Sequence, residues 1–221
     1  MKQAILTFKN IRLCTGQIHK LRGYVGNVFS QYDLIHNHDV LTGKTFYRYP
    51  LIQFKLIDHT PCIMALTQRA VDIFTRIFME LDEIDIGGRI IPVNEKDFTL
   101  KDVPFGFSDQ PHVYEFTSPW AGLNQNNFKT FTQLQTPEDK NHLLSRILTG
   151  NILSRAKYLG HRLSPDQRIE TQVKLTPATI TLKGKKMTGF KGIFKTNFIL
   201  PDHCGLGKSV SRGFGTIANA F

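Results

Sequence analysis

The chain has 221 residues, which is enough for one large or two small domains. Hydrophobic residues make up 41% of it, so it can form a packed core, and no apolar run approaches the roughly 20 residues that span a bilayer. Its start alternates in character and carries Lys9 and Arg12, so we expect no signal peptide. Three scattered cysteines without metal-ligand spacing indicate a reduced, cytoplasmic compartment.

The net charge of +10 is unevenly distributed along the chain. Residues 1–50 carry +5, residues 51–150 carry −4 and residues 151–221 carry +9. A basic surface favours polyanions, so nucleic acid and anionic membranes are the candidate ligands. Because no convincing amphipathic basic helix is present, we expect nucleic acid rather than a membrane.

The first half of the chain shows a β-α-β-β-α-β pattern, assigned from period-2 alternation for strands and helical spacing of apolar residues for helices. In chain order the predicted elements are a strand at 3–14, a helix at 22–35, strands at 45–58 and 62–66, a helix at 67–81 and two strands within 83–101. This order is the ferredoxin-like arrangement, which RNA-recognition motifs also use.

The second half has a looser pattern. We expect a strand at 112–118 and then a polar, Asn-rich loop at 119–136. A helix should start at Thr136-Pro137-Glu138-Asp139, and Gly150 should end or kink it. The segments 169–182 and 186–200 should form a long β-hairpin. Trp120 and Phe128 are expected in the core rather than stacked on a base. The prediction is an α+β protein of two tandem ferredoxin-like (RRM-like) domains, at 1–103 and 111–221, the second atypical and with a C-terminal glycine-rich loop.

The glycine-rich segment spans residues 205–215 and contains four glycines with basic and hydroxyl residues between them. Glycine allows positive φ and close approach of a ligand, and bare backbone N–H groups suit phosphate oxygens. Gly207-Lys208-Ser209 is similar to the end of a Walker A loop, but Asp202 stands where that motif needs a glycine, so we reject an NTPase. A flexible surface loop is the alternative interpretation.

The GxG, basic stretch and GFG of this segment resemble the signature of the RAMP proteins of CRISPR systems. LIHNHD at 34–39 and KTFYRYPLIQFK at 44–55 are similar to the N-terminal domain of the RAMP-superfamily endoribonuclease that processes precursor CRISPR RNA. The resemblance implies precursor CRISPR RNA as the partner, with effector-complex proteins as further candidates.

Two histidines, His36 and His38, lie just past the first predicted helix. Histidine has an ordinary pKa of about 6.5, so it can take a proton from a 2′-hydroxyl or give one to a leaving 5′-oxygen. The resemblance places the catalytic histidine near the end of the first helix, which matches His38 first and His36 second. It gives an assisting role to Lys44, which can stabilise phosphorane charge. Tyr47 is a weaker candidate, either as a hydrogen-bond donor or as a stacking ring. Which histidine is acid and which is base stays open.

Alternatives for the histidine pair are a metal site with Asp39, for which further ligands are not evident, and a structural helix cap. We expect no metal and no cofactor. The expected RNA-binding residues are basic or belong to the glycine-rich segment: Arg22, Arg48, Lys183, Lys185, Lys186, Gly205, Gly207, Lys208, Ser209, Ser211, Arg212, Gly213, Phe214 and Gly215. For the lysines, a solvated hairpin tip is an equally good explanation.

Together with these residues, the resemblance implies a metal-independent endoribonuclease that cleaves CRISPR repeat RNA to mature guide RNA, leaving 2′,3′-cyclic phosphate and 5′-hydroxyl ends. The alternative is a non-catalytic RAMP-type RNA-binding subunit of a CRISPR complex. Either protein would be a monomer or a homodimer.

Overall fold

A computed structural model describes residues 1–36, 48–182 and 184–220, and His36 only as part of its helix. The chain forms two compact units. The first contains Met1–Val103 together with Val210–Gly213, and the second contains Pro104–Ser209 and the C-terminal residues from Phe214. Within the described residues, no helix combines the length and apolar character needed to cross a bilayer.

The first unit is a four-stranded antiparallel sheet with helices that connect its strands. Its elements are β1 (Lys2–Phe8), α1 (Ile18–Val28), α2 (Asp33–His36), β2 (Ile52–Ile57), β3 (Thr60–Leu66), α3 (Gln68–Glu80), a small hairpin of β4 (Glu83–Asp85) and β5 (Ile90–Pro92), and β6 (Lys96–Asp102). The strand order is β2-β3-β1-β6. The ferredoxin-like prediction is therefore confirmed for this unit.

The predicted helix at 22–35 is wrong in its bounds. The chain instead forms α1, leaves helical geometry at Phe29, and forms the short α2 from Asp33. Phe29 is fully buried, whereas the residues from Ser30 to Asp33 lack apolar side chains at helical spacing. Asp33 is a residue type that favours a helix start, so a new turn begins there.

The second unit has the same strand order with different helices. Its elements are β7 (Gly106–Phe116), α4 (Gln125–Gln133), α5 (Pro137–Tyr158), β8 (Thr171–Leu182), β9 (Lys185–Ile199) and β10 (Ile217–Asn219). The order β10-β7-β9-β8 matches that of the first unit, strand for strand. No α-helix lies between β9 and β10 in the described chain, so this copy is atypical, as predicted.

Two predictions for the second unit are wrong. The expected polar loop contains α4, whose N-cap Asn124 accepts a hydrogen bond from the Asn127 amide at 2.7 Å. No residue of α4 is buried, so apolar periodicity gave no signal of it. Gly150 does not end α5, because Ile152 and Ala156 continue the buried face of the helix beyond it. The predicted cap at Thr136 and the hairpin of β8 and β9 are confirmed.

Candidate nucleic-acid interface

Residues Val210–Gly213 pack within the first unit against β2 and α1. Lys55 of β2 is fully buried and its Nζ donates to the Val210 carbonyl at 3.4 Å. Gly213 has φ +88°, and a Cβ there would come within 3.3 Å of the Phe54 carbonyl oxygen and 3.4 Å of Ile18 Cγ2. The positive φ and the tight approach to the Phe54 carbonyl both favour glycine at this position.

This packing places the turn that carries Arg212 against α1, which carries Arg22. Arg22 is half-buried, and its pKa is lowered first by burial and then by the positive charge of Arg212. Two guanidinium groups of like charge therefore lie within electrostatic reach of each other in the first unit. Guanidinium forks match phosphate oxygens in geometry and charge, so the pair suits a phosphodiester ligand.

A pair of charged residues links the chain on the two sides of residues 37–47. Arg48 donates through Nη1 to Asp33 Oδ2 at 3.0 Å and through Nη2 to the Asp33 carbonyl at 2.6 Å. Arg69 Nη2 lies 3.7 Å from the same carboxylate. The Arg48 guanidinium thus holds the start of α2 beside the chain that precedes β2.

The predicted catalytic residues lie between Asp33 and Arg48 in the sequence. His38, Lys44 and Tyr47 lie outside the described residues, as does Lys183 of the predicted RNA-binding set. His36 is the last residue of α2. No group of three or more metal-ligating side chains occurs in the ranges that the structure describes.

In the second unit the two arms of the glycine-rich segment pair with each other. Gly205 forms an isolated β-bridge with Thr216, and the Leu206 amide donates to the Gly215 carbonyl at 2.9 Å. The Gly215 amide donates to the Pro119 carbonyl at 2.9 Å, and a Cβ on Gly215 would collide with the Leu206 carbonyl. These amides are used inside the protein, so the side chains of the segment are its stronger candidates for RNA contacts.

The turn of the segment packs on Trp120, which is fully buried as expected. Gly207 has φ +82°, and a Cβ there would lie 2.6 Å from Trp120 Nε1. Lys208 follows, with its amide donating to the Ala121 carbonyl at 3.0 Å and its Nζ to the Leu123 carbonyl at 2.8 Å. Burial lowers the pKa of Lys208, although the residue as a whole is exposed.

The remaining predicted RNA-binding residues divide between the two units. Ser211 is half-buried beside Arg212 in the 3-10 turn of the first unit. Ser209 and Phe214 are half-buried residues of the second unit, and Ser209 has φ +56°. Lys185 and Lys186 are exposed at the start of β9, after the turn at Gly184.

A pocket of about 450 Å³ lies in the second unit beside α4 and the hairpin of β8 and β9. Its lining residues are Leu123, Asn124, Gln125, Phe128, Thr179, Lys186, Met187, Thr188 and Lys208. Sequence reasoning missed this pocket because it missed α4, and it wrongly placed Phe128 in the core. The side chain of Phe128 is 44% exposed.

Family models match both halves of the chain. Residues 1–104 match the Cas6b N-terminal domain and residues 106–220 match the Cas6b C-terminal domain. The chain belongs to the Cas6b family. This confirms the resemblance to the RAMP-superfamily proteins of CRISPR systems that the LIHNHD and glycine-rich segments indicated.

Solved structures extend the match to the whole fold. A crystal structure of Cas6b is 30% identical, covers 99% of both chains and superposes with a TM-score of 0.92. The structure of a CRISPR RNA processing endoribonuclease Cas6b is 29% identical over the full length of both chains, with a TM-score of 0.78. A protein of Methanocaldococcus jannaschii, MJ0978, is 34% identical over 146 residues, which are 64% of this chain and 95% of that protein. The tandem ferredoxin-like architecture is therefore that of Cas6b.

Proposed function

We propose that this Cas6b-family chain is an endoribonuclease that cleaves CRISPR repeat RNA to produce guide RNA. The observation that carries the proposal is the approach of Arg22 and Arg212 in the unit where α2 ends at His36. A phosphodiester bound beside these two like-charged guanidinium groups would accept hydrogen bonds from both and offset the repulsion between them. The similarity to a Cas6b structure described as a CRISPR RNA processing endoribonuclease supports the same activity here.

The proposed reaction is a transesterification that needs no metal ion. One histidine of the pair His36 and His38 takes the proton of the 2′-hydroxyl, and the 2′-oxygen attacks the adjacent phosphorus. The bond to the 5′-oxygen breaks, and the other histidine gives that oxygen a proton. The products are a 2′,3′-cyclic phosphate and a 5′-hydroxyl.

Cationic groups would stabilise the extra negative charge that develops on the phosphorane. We assign this role to Lys44, with Tyr47 as a hydrogen-bond donor, and we assign the holding of the phosphodiester to Arg22 and Arg212. Arg48 is a positioning residue in this scheme, because its ion pair with Asp33 joins the chain on the two sides of residues 37–47.

The second unit would bind the RNA backbone. Exposed Lys185, Lys186 and Lys208 offer positive charge there, and Lys183, Ser209 and Phe214 belong to the same proposed set. Such contacts are to phosphates, so they add affinity without distinguishing bases.

The test is cleavage of end-labelled repeat RNA in excess chelator, beside a series of RNAs that carry single 2′-deoxy substitutions. We expect one cut that persists in chelator and disappears when one deoxy substitution removes the attacking hydroxyl. RNA that is bound and stays intact would contradict the nuclease and favour the alternative, a non-catalytic RNA-binding subunit of a CRISPR complex.

The histidine assignment is tested separately with His36→Ala and His38→Ala. Removing a proton-transfer group is expected to lower the cleavage rate by about 10²–10⁴-fold while RNA affinity stays unchanged. His19→Ala is the matched control, because His19 is exposed on α1. Unchanged processing by both variants would show that these histidines do not catalyse the reaction.

A further inference from the structure

The pocket beside α4 has a wall that exposes apolar side chains to solvent. Phe128 is 44% exposed and Met187 is 38% exposed, and Leu123 completes this apolar wall. The volume of about 450 Å³ lies within the usual range for sites that hold small organic groups.

Phe128 is not the residue that holds α4 in place. Phe131 stands three positions later, on the same face of the helix, and packs edge-on against Phe190 with ring centroids 5.3 Å apart. Phe190 is fully buried in β9, so this contact fixes α4 on the sheet. Phe128, one turn earlier, presents its ring to the pocket.

The charged side chains among the described lining residues of the pocket are all positive. The nine lining residues that the structure describes include Lys186 and Lys208 and no acidic side chain. The Lys208 ammonium is held by the Leu123 carbonyl at 2.8 Å and keeps further N–H donors, since an ammonium has three. Lys185 is exposed next to Lys186 in the chain.

Polar side chains complete the wall. Thr179 and Thr188 face each other across β8 and β9, and Gln125 is exposed in the first turn of α4. An amide side chain can donate to and accept from the edge of a base, whereas the aromatic ring can stack on its face.

We propose that this pocket takes one unpaired nucleobase of the bound RNA, stacked on Phe128, with the neighbouring phosphates facing Lys186 and Lys208. The inference rests on the proposed function, since it assumes that RNA is the ligand. An aromatic face flanked by cations is the usual arrangement for single-stranded bases, because every base has a π-face and every linkage carries a negative charge. The pocket thus gives the second unit a contact to a base in addition to its contacts to phosphates.

The experiment uses repeat RNA made uncleavable by a 2′-deoxy substitution, with each nucleotide in turn replaced by an abasic one. We expect one abasic position to weaken binding to the unaltered protein by about tenfold. Phe128→Ala should weaken binding of the intact RNA by a similar factor, and the abasic change at that position should then have no further effect. Leu153→Ala is the matched control, because Leu153 is 47% exposed on α5 and does not line the pocket.

Phe128→Trp provides a second readout that does not depend on loss of affinity. The larger ring should keep the affinity, and its fluorescence should be quenched by the intact RNA and not by the abasic RNA. If no abasic position is coupled to Phe128 while the unmodified repeat RNA is bound and cut by the same protein, the pocket inference is wrong and the proposed function stands. RNA that is neither bound nor cut would overturn both.

Discussion

The two units share one strand order and differ in what fills the connection between their third and fourth strands. In the first unit, β3 leads to β6 through α3, which buries Ala70, Val71, Phe74 and Ile77. In the second unit, β9 leads to β10 through the glycine-rich segment. A ferredoxin-like sheet therefore keeps its order when a packed helix is replaced by an irregular chain.

Glycine geometry makes this replacement stable. Gly207 and Gly215 have positive φ and contact neighbours so closely that a Cβ would not fit. Trp120 packs against Gly207 of this segment, with its ring stacked on Phe116 at 5.6 Å between centroids and its Nε1 donating to Asn151. Because no α-helix occupies this connection, the segment carries polar and basic side chains at exposed or half-buried positions.

The largest effect expected from this comparison is on stability. Gly215→Ala combines a left-handed φ with a collision against the Leu206 carbonyl, so we expect the free energy of unfolding to fall by about 3 kcal/mol. Gly160→Ala is the control, since Gly160 has φ +81° and nothing within 4 Å of a Cβ, and it should cost about 1 kcal/mol. Urea unfolding measures both. Equal losses of unfolding free energy in the two variants would mean that the close packing of Gly215 against Leu206 does not contribute to stability.

The next effect concerns the arginine pair in the first unit. Arg22→Gln and Arg212→Gln should each weaken RNA binding by about tenfold and lower the slope of log affinity against log salt by about 1. Without RNA, Arg212→Gln should be no less stable than the parent protein, because it removes a like-charge repulsion. Arg89→Gln, at an exposed position of the same unit, is the control. A variant that loses stability and leaves the salt slope unchanged would show that the pair is structural.

The smallest effect is a difference between the units in alkaline solution. Burial raises the pKa of Cys62 in β3 from 9.0 to about 12, and burial raises the pKa of Tyr114 in β7 from 10.0 to about 12. Each group keeps its proton longer in the folded state, so its contribution to stability is complete below the unfolded pKa and is lost as pH rises toward 12. The loss should begin near pH 9 for Cys62 and near pH 10 for Tyr114.

Urea unfolding between pH 8 and 11 of Cys62→Ala and Tyr114→Phe separates these contributions. The free energy of unfolding should fall less steeply with rising pH in each variant than in the parent. This difference should begin near pH 9 for Cys62→Ala and near pH 10 for Tyr114→Phe. Cys14→Ser is the control, because Cys14 is exposed. Its free energy of unfolding should depend on pH in the same way as that of the parent. Parallel curves for parent and variants would contradict the assignment.

The sequence by itself determined the local elements with strong patterns. The Thr136 cap, the α3 stripe and the alternation of β8 and β9 are short-range signals, and each predicted an element that the structure contains. The LIHNHD and glycine-rich segments were sufficient to indicate the family. The amphipathic pattern failed at α4, because that helix buries no residue. It also failed at Phe29, where the backbone leaves helical geometry although the ring is buried like the apolar face of α1.

Only the tertiary structure decided which distant residues meet. The packing of Val210 on Lys55 and of Gly213 on Ile18 brings Arg212 to Arg22, although the two arginines come from opposite ends of the chain. The contact of Phe131 with Phe190 likewise decided that Phe128 faces a pocket. Periodicity reports the environment of a residue relative to its near neighbours, whereas these contacts depend on strand order and on glycines that allow backbones to approach closely.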